Sequence, residues 1–540
     1  MLDACLTTSR PRGFALEEGS ARKESNVTEA WFRFETDAAE CRGHLRLKDG
    51  RCWTLMTAAL GLKGHLERTG QQRERGVQHG ALPGRMSWAE RRRQREQALA
   101  EEEPPYCLII GGGQGGMILA ARLATLDVPT LVIDRHAHPG DAWRHRYDAL
   151  CLHDTVWANH LPYMPFPPNW PVYTPKDRMG DWLDSYARAM DLDLWTSTEA
   201  HHASYDACRG EWRVQASRAG QPVTLCPKHL VIATGMSGAP ATPTYPGVEL
   251  FAGAQMHSSQ YRNGSDFRGK RCVVIGSNNS AHDICADLWE HGADVTMVQR
   301  SSTLVIRAES SVKFLSSKLY SEEALLNGIG TEQADFIGAS RPYAMLAALH
   351  REIYREIQQH DATFYEGLRK AGFLLDFGED DTGHLLKYLR RGSGYYIDVG
   401  ASQLIIDGAI QLCSGVRPRR ILPDAVELDD GSILEADLIV YATGFEPMEG
   451  WIERLISPEV ARKVGRVWGL GSGTHRDPGP WSGELRNMWK PTGQEGLWMQ
   501  GGNLQQARFF SRLLALQIKA RMEGTRMTVY DPRAFNEVTV

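Results

Sequence analysis

The segment from Cys107 to Asp134 constrains this chain more than any other. Cys107-Leu108-Ile109-Ile110 is an apolar run the length of one buried strand, and it breaks at Gly111-Gly112-Gly113-Gln114-Gly115-Gly116. Met117 to Leu123 then supplies good helix formers, and Thr130-Leu131-Val132-Ile133 makes a second strand that stops at Asp134. Strand, tight turn, helix, strand and terminal acid form the context in which a GxGxxG motif binds an adenine dinucleotide. Gly111 allows the sharp turn, Gly113 lets backbone approach a pyrophosphate, and Gly116 lets helix and strand pack closely. The helix N-terminus offers free N–H groups and positive dipole to the phosphates. Asp134, 23 positions after Gly111, is placed to accept from the ribose hydroxyls.

A second, altered copy follows. Arg271-Cys272-Val273-Val274-Ile275 reads as a strand, Gly276-Ser277-Asn278-Asn279-Ser280-Ala281 as the turn, and Val295-Thr296-Met297-Val298 as the next strand. Asn278 and Ala281 replace two glycines; Asn278 tolerates the left-handed conformation, and Ala281 is small enough for close packing. The position 23 after Gly276 is Gln299, followed by Arg300. A neutral residue and an arginine at the ribose end suit a 2′-phosphate, which predicts NADPH at this second site. Leu230-Val231-Ile232-Ala233-Thr234-Gly235 recurs as Leu438-Ile439-Val440-Tyr441-Ala442-Thr443-Gly444, the clearest internal symmetry in the chain.

The rest of the chain frames these units. At 540 residues it has room for about two to four domains. A net charge of −5 gives no reason to expect nucleic acid or an anionic membrane as partner. The ten cysteines contain no CxxC, which argues against a zinc site, a redox dithiol and a secreted disulfide framework, and no His or Cys spacing calls for another metal. With no signal peptide and no bilayer-length apolar stretch, the expectation is a cytoplasmic protein without a membrane span. Residues 31–34, 44–47 and 52–56 read as strands, with Asp49-Gly50 as a hairpin turn, in a small module ending near residue 80. Residues 81–104 carry Arg91-Arg92-Arg93-Gln94-Arg95 against Glu101-Glu102-Glu103, a charged linker helix rather than a nucleic-acid patch. The loop from His153 to Tyr173 is crowded with Trp, Tyr, Phe and Pro, which either cover a core or wall a flavin ring. Residues 305–400 read as mainly helical, with Leu346, Leu349, Ile353 and Ile357 in one apolar stripe. A further helix begins near Leu504.

Between the two turns, Phe251-Ala252-Gly253-Ala254-Gln255-Met256-His257-Ser258-Ser259-Gln260-Tyr261-Arg262-Asn263-Gly264-Ser265-Asp266 matches FxGxxxHxxx(Y/F)(K/R)xxx(P/D) in full. On this pattern, residues 104–540 resemble the flavin-containing (class B) monooxygenases. Leu150-Cys151-Leu152-His153 is closer to the plant indole-pyruvate branch, and Tyr261 to N- or S-oxygenating members rather than Baeyer–Villiger ones. The resemblance implies an α/β fold of two Rossmann-type domains, with FAD at 105–245 and 416–540 and NADPH at 246–415. Residues 1–80 resemble the later part of an NTF2-like cone, a small α+β remnant. FAD is expected on Gly111, Gly113, Gly116, Asp134 and Trp143, and NADPH on Gly276, Asn278, Ala281, Arg300, Thr443 and Gly444. His153 and Asn503 are the catalytic candidates.

The implied reaction uses NADPH and O₂ to insert one oxygen atom into a small organic substrate through a C4a-hydroperoxyflavin, by N- or S-oxygenation or 2-oxo-acid decarboxylation. Baeyer–Villiger oxygenation and uncoupled NADPH oxidation are the alternatives within enzymes. A small-ligand-binding protein with relic nucleotide sites is the alternative outside them. A homodimer is compatible with these expectations.

Overall fold

The structure is a computed structural model describing residues 6–7, 9–77, 79–101, 104–471 and 484–525. Its first module is a five-stranded antiparallel sheet of Arg12–Leu16, Arg22–Glu24, Val27–Glu35, Ala39–Lys48 and Arg51–Leu62. Asp49 and Gly50 both have positive φ, as a tight right-twisted hairpin requires. One face of this sheet, at Trp31 and Ala58, packs on Phe336 and Ile337 of helix Thr331–Ala339 and on Phe509 and Leu513 of the C-terminal helix. Arg46 donates from Nη1 to Ser340 Oγ at 2.9 Å, so the module is bound to the rest by polar and apolar contacts alike.

The linker helix Trp88–Glu101 opens on a capping box, with the Ser87 N–H donating to Glu90 and the Glu90 N–H to Ser87 Oγ. Its basic run meets carboxylates of this same chain. Arg92 pairs with Asp191 and Arg95 with Asp193, each at 2.9 Å.

Two parallel five-stranded sheets follow. The first has the order Leu497–Met499, His229–Ile232, Cys107–Ile110, Thr130–Ile133, Leu194–Trp195. The second runs Ala254–His257, Leu438–Tyr441, Arg271–Ile275, Asp294–Gln299, Gln411–Ser414. Each turn-bearing strand lies at the centre of its sheet, and every residue of Cys107–Ile110 is buried. Such two-sided burial is why these strands read as unbroken apolar runs. Each also has a strand ending in Ala-Thr-Gly beside it, so the internal repeat marks equivalent positions in two sheets.

This pairing corrects a boundary. Leu438–Tyr441 is hydrogen-bonded into the second sheet, so residues 416–443 belong with residues 246–415 rather than with the first domain. The chain returns to the first sheet only at Leu497–Met499, then closes with helix Leu504–Met522.

The apolar stripe is also displaced. Helix Tyr343–His360 buries Leu346, His350, Tyr354 and Ile357, while Leu349 is 42% exposed. Tyr354 meets His384 there, whose Nδ1 lies 2.7 Å from the Tyr354 hydroxyl, and Leu346 joins the core on the first sheet. The buried face therefore follows the packing partners rather than hydrophobicity alone.

Candidate active site

The first turn is built by steric exclusion. Gly111 has φ +112°, and a Cβ there would lie 2.5 Å from the Ala233 carbonyl oxygen. A Cβ on Gly116 would lie 2.0 Å from the Gly111 oxygen, so helix Gln114–Thr125 can approach the strand only without it. Gly113 is different. Its backbone is extended, and a Cβ there would meet no atom within 4 Å. The protein itself leaves that space open. Asp134 accepts from the Gly112 N–H at 2.6 Å and from the His136 N–H at 2.8 Å. Burial opposes its ionisation, but these bonds and the His136 ring outweigh burial and hold the carboxyl below its ordinary range. Each oxygen keeps further lone-pair capacity for a hydroxyl. Trp143 donates to Gln114 Oε1 at 3.0 Å, and its ring packs against the cores of both domains.

The second turn repeats the course with other residues. Gly276 has φ +136°, and its Cβ would lie 2.3 Å from the Ala442 oxygen, as Gly111 stands to Ala233. Asn278 has φ −97°, ψ −170°, the extended conformation of Gly113 and not the left-handed one expected for it. An ordinary residue therefore fits that backbone without strain. Ala281 is fully buried against the strand.

Gln299, the residue expected at a ribose, is turned inward. Its side chain is withdrawn into the core, donating to the Leu374 oxygen at 2.9 Å and accepting from the Leu374 N–H at 2.8 Å. An amide can satisfy both backbone groups at once, which an acid could not.

A cavity of about 470 Å³ lies in front of this turn, lined by Gly276, Asn278, Arg300, Lys387, Arg391 and Arg417 among others. Three of its cations are already paired: Lys387 with Asp376 at 2.7 Å, Arg417 with Asp429 at 3.2 Å, and Arg391 with Glu379. Arg300 has no carboxylate partner among the described residues, and it is exposed. Thr443 lines the same cavity and donates to the Ala241 oxygen at 2.6 Å.

The long sequence pattern between the turns is scaffolding for this cavity. Phe251 joins the core behind the second sheet, and a Cβ on Gly253 would strike the Asp437 oxygen at 2.4 Å. His257 donates from Nε2 to the Gly444 oxygen at 2.9 Å, pinning the second Ala-Thr-Gly turn. Tyr261, fully buried, donates to Asp287 on helix Asn279–Glu290. Gly444, expected at the coenzyme, is thus tied to His257 through its carbonyl.

The catalytic candidates lie in different settings. His153 is half-buried, with Nε2 3.9 Å from Asp283 Oδ2, and Tyr147 donates to that same oxygen at 2.6 Å. Burial raises the Asp283 carboxyl, against the opposing pull of His153 and Tyr147. Asp283 Oδ1 is buried without a hydrogen-bond partner among the described residues. Neighbouring Asp154 keeps its side chain accessible, yet desolvation by surrounding protein raises it too, with His153 opposing. Asn503 caps the C-terminal helix, its side chain accepting from the Gln506 N–H at 2.9 Å, and its own N–H donates to the Tyr388 hydroxyl at 2.9 Å. Of the aromatic loop, Phe166 stacks on Trp170 at 4.6 Å and meets Trp182 edge-on, so this part covers a core.

Sequence reasoning missed Asp283, Tyr147 and Tyr388. The acid at position 283, in the first turns of the helix after the second turn, was the one local signal. The residues present fit a dinucleotide at each turn: an open cradle at Gly113 with an ionised acid beyond it, and an unpaired arginine beyond Asn278.

Comparison with known proteins agrees with this geometry. A family model described as pyridine nucleotide-disulphide oxidoreductase matches residues 108–340. The indole-3-pyruvate monooxygenase YUCCA1 of Oryza sativa subsp. japonica is 31% identical over 340 residues, covering 63% of this chain and 76% of that protein. The probable indole-3-pyruvate monooxygenase YUCCA7 of Arabidopsis thaliana is 29% identical over 345 residues, 63% of this chain and 74% of that protein. An ε-caprolactone-bound cyclohexanone monooxygenase structure shares the fold, with a TM-score of 0.57 at 17% identity over 78% of this chain and 88% of that one. With two adjacent dinucleotide turns, the complete monooxygenase pattern and a 31% identical relative spanned over 76% of its length, the chain belongs to the flavin-dependent monooxygenase family.

Proposed function

We propose that this enzyme binds FAD on Gly111, Gly113, Gly116, Asp134 and Trp143, and NADPH on Gly276, Asn278, Ala281, Arg300 and Thr443, to insert one oxygen atom of O₂ into a small organic substrate. The observation that carries this reading is the pairing of two equivalent turns with unlike ends, an ionised Asp134 and an unpaired Arg300. When bound, FAD supplies the redox chemistry, taking hydride from the nicotinamide coenzyme and activating oxygen.

The chain's own residues bind and orient. The open space at Gly113 admits a pyrophosphate to the N-terminus of helix Gln114–Thr125, whose free N–H groups and dipole favour the negative charge. Asp134 accepts from ribose hydroxyls, and the Arg300 guanidinium offers a two-pronged donor to a 2′-phosphate. His153 stands beside Asp283, whose Oδ2 is in turn held by the Tyr147 hydroxyl, and its imidazole is the group in this cluster that can both donate and accept a proton.

The substrate class follows from an assay. The sequence relatives carry indole-3-pyruvate in their names, which makes 2-oxo acids the first class to try, followed by amines, sulfides and ketones. With a true substrate, NADPH consumption should exceed peroxide release. Peroxide equal to NADPH with every compound would make the protein an NADPH oxidase. A purified protein without flavin absorbance would make it a ligand-binding protein with relic sites.

A further inference from the structure

Helix Gly383–Arg391 touches both halves of the proposed machinery. On one side Lys387 and Arg391 line the 470 Å³ cavity beside Arg300, with Lys387 held to both oxygens of Asp376 at 2.7 and 2.8 Å. On the other side Tyr388 reaches the N-terminus of the C-terminal helix. Its hydroxyl accepts from the Asn503 N–H and donates to Gln506 Oε1, each at 2.9 Å.

That helix N-terminus lies against the first dinucleotide turn. Gln500 donates to the Gly115 oxygen at 3.1 Å, and Gly501 Cα would lie 3.8 Å from a Cβ on Gly115. Asn503 caps Gln506, which leaves the positive end of the helix beside the turn proposed to hold FAD.

The link between the two sides is stiff. Leu386 and Leu389 are 1% exposed, and a Cβ on Gly383 would lie 1.8 Å from Cε2 of the Tyr354 ring. The Tyr388 carbonyl is fixed by Trp468 Nε1 at 2.8 Å. A close-packed helix of this kind moves as a unit rather than absorbing a displacement.

We propose that Tyr388 is a positioning residue that couples the 2′-phosphate end of the coenzyme cavity to the flavin-side helix N-terminus. A phosphate entering the cavity competes with Asp376 for Lys387 and shifts helix Gly383–Arg391. Tyr388 carries that shift to Asn503 and Gln506, changing how the helix end acts on the negative charge that FAD held at the first turn would gain in its ring on reduction. The coupling rests on the FAD and NADPH assignments made above.

The test uses the purified flavin-loaded enzyme and 2′,5′-ADP, which carries the 2′-phosphate but no nicotinamide to touch the flavin. Its affinity is measured by calorimetry for the oxidised and for the anaerobically dithionite-reduced enzyme. In the parent the two affinities should differ by about fivefold, the factor set by one hydrogen bond of ordinary net strength. In Tyr388→Phe, which loses the donor to Gln506 and the acceptor for Asn503, the ratio should fall to about one while both affinities stay measurable. A purely structural role would change both affinities together and leave their ratio intact. Equal ratios in parent and variant, or a parent ratio of one, would overturn the coupling.

Should Tyr388→Phe fail to fold, Gln506→Met removes one of the two bonds, and an undiminished ratio there is equally fatal. A parent that lacks flavin or does not bind 2′,5′-ADP would instead overturn the cofactor assignments, and the coupling with them.

Discussion

The turns Gly111–Gly116 and Gly276–Ala281 follow one backbone course with different residues, and the difference separates the tasks of the fingerprint glycines. The first glycine is obligatory in both, since positive φ and a neighbouring Ala-Thr-Gly carbonyl leave no room for a side chain. The third position is extended in both, so neither turn needs a glycine there for backbone freedom, and Asn278 occupies it without strain. The last position depends on how closely helix and strand pack. Ala281 shows that the second crossing is wide enough for a methyl group; the first is not. Beyond its second strand the first unit holds a largely buried, hydrogen-bonded acid, whereas the second withdraws its amide into the core and leaves an arginine outside.

The harshest way to break this comparison is to exchange the last positions. Gly116→Ala puts a methyl 2.0 Å from the Gly111 oxygen and should destabilise the protein by about 3 kcal/mol or more. Ala281→Gly should be milder, about 1 kcal/mol. Denaturant unfolding of both variants checks the pair, and similar losses would mean that the two crossings are equally tight.

Gly113→Leu should fold normally and purify mostly without flavin, because its side chain enters space that the protein leaves empty. Circular dichroism with flavin absorbance reads this out. Normal flavin occupancy would remove Gly113 from the site.

Arg300→Ala should raise the KM for NADPH about ten- to a hundredfold, the value of a hydrogen bond to a charged group. NADH turnover should hardly change. Equal losses with both coenzymes would point to a damaged fold.

Asp134→Asn sharpens the comparison through pH. The native carboxyl sits below its ordinary value, so the folded state binds fewer protons than the unfolded chain across the acid range. Its stabilisation is therefore present above the unfolded pKa and lost as pH falls through the folded one. The gap in melting temperature between parent and variant should be full near neutrality and close on acidification; a pH-independent gap would contradict the assigned charge.

Asn278→Gly should have the smallest effect, below about 1 kcal/mol, since no strain is present to relieve. A clear stabilisation would show that asparagine at this turn is held under strain after all.

Local patterns made much of this molecule legible. The two strand–turn–helix–strand units, the Asp49-Gly50 hairpin, the linker helix and the helix at Leu504 each lie within about 30 residues of chain, where turn chemistry and apolar period suffice. The long pattern from Phe251 to Asp266 was equally readable, although its structural work at His257 and Tyr261 was not.

The two strand–turn–helix–strand units, their order and their family are encoded by neighbours along the chain and could be read from it directly. Tertiary structure alone decided which sheet receives Leu438–Tyr441, which face of helix Tyr343–His360 is buried, and that Gln299 turns inward to Leu374. It also brought Tyr147 to Asp283 and Tyr388 to Asn503, pairs more than a hundred residues apart. No spacing rule spans such distances. These contacts are set by the packing of whole elements, in which a buried polar group takes whichever partner the assembled fold brings within reach.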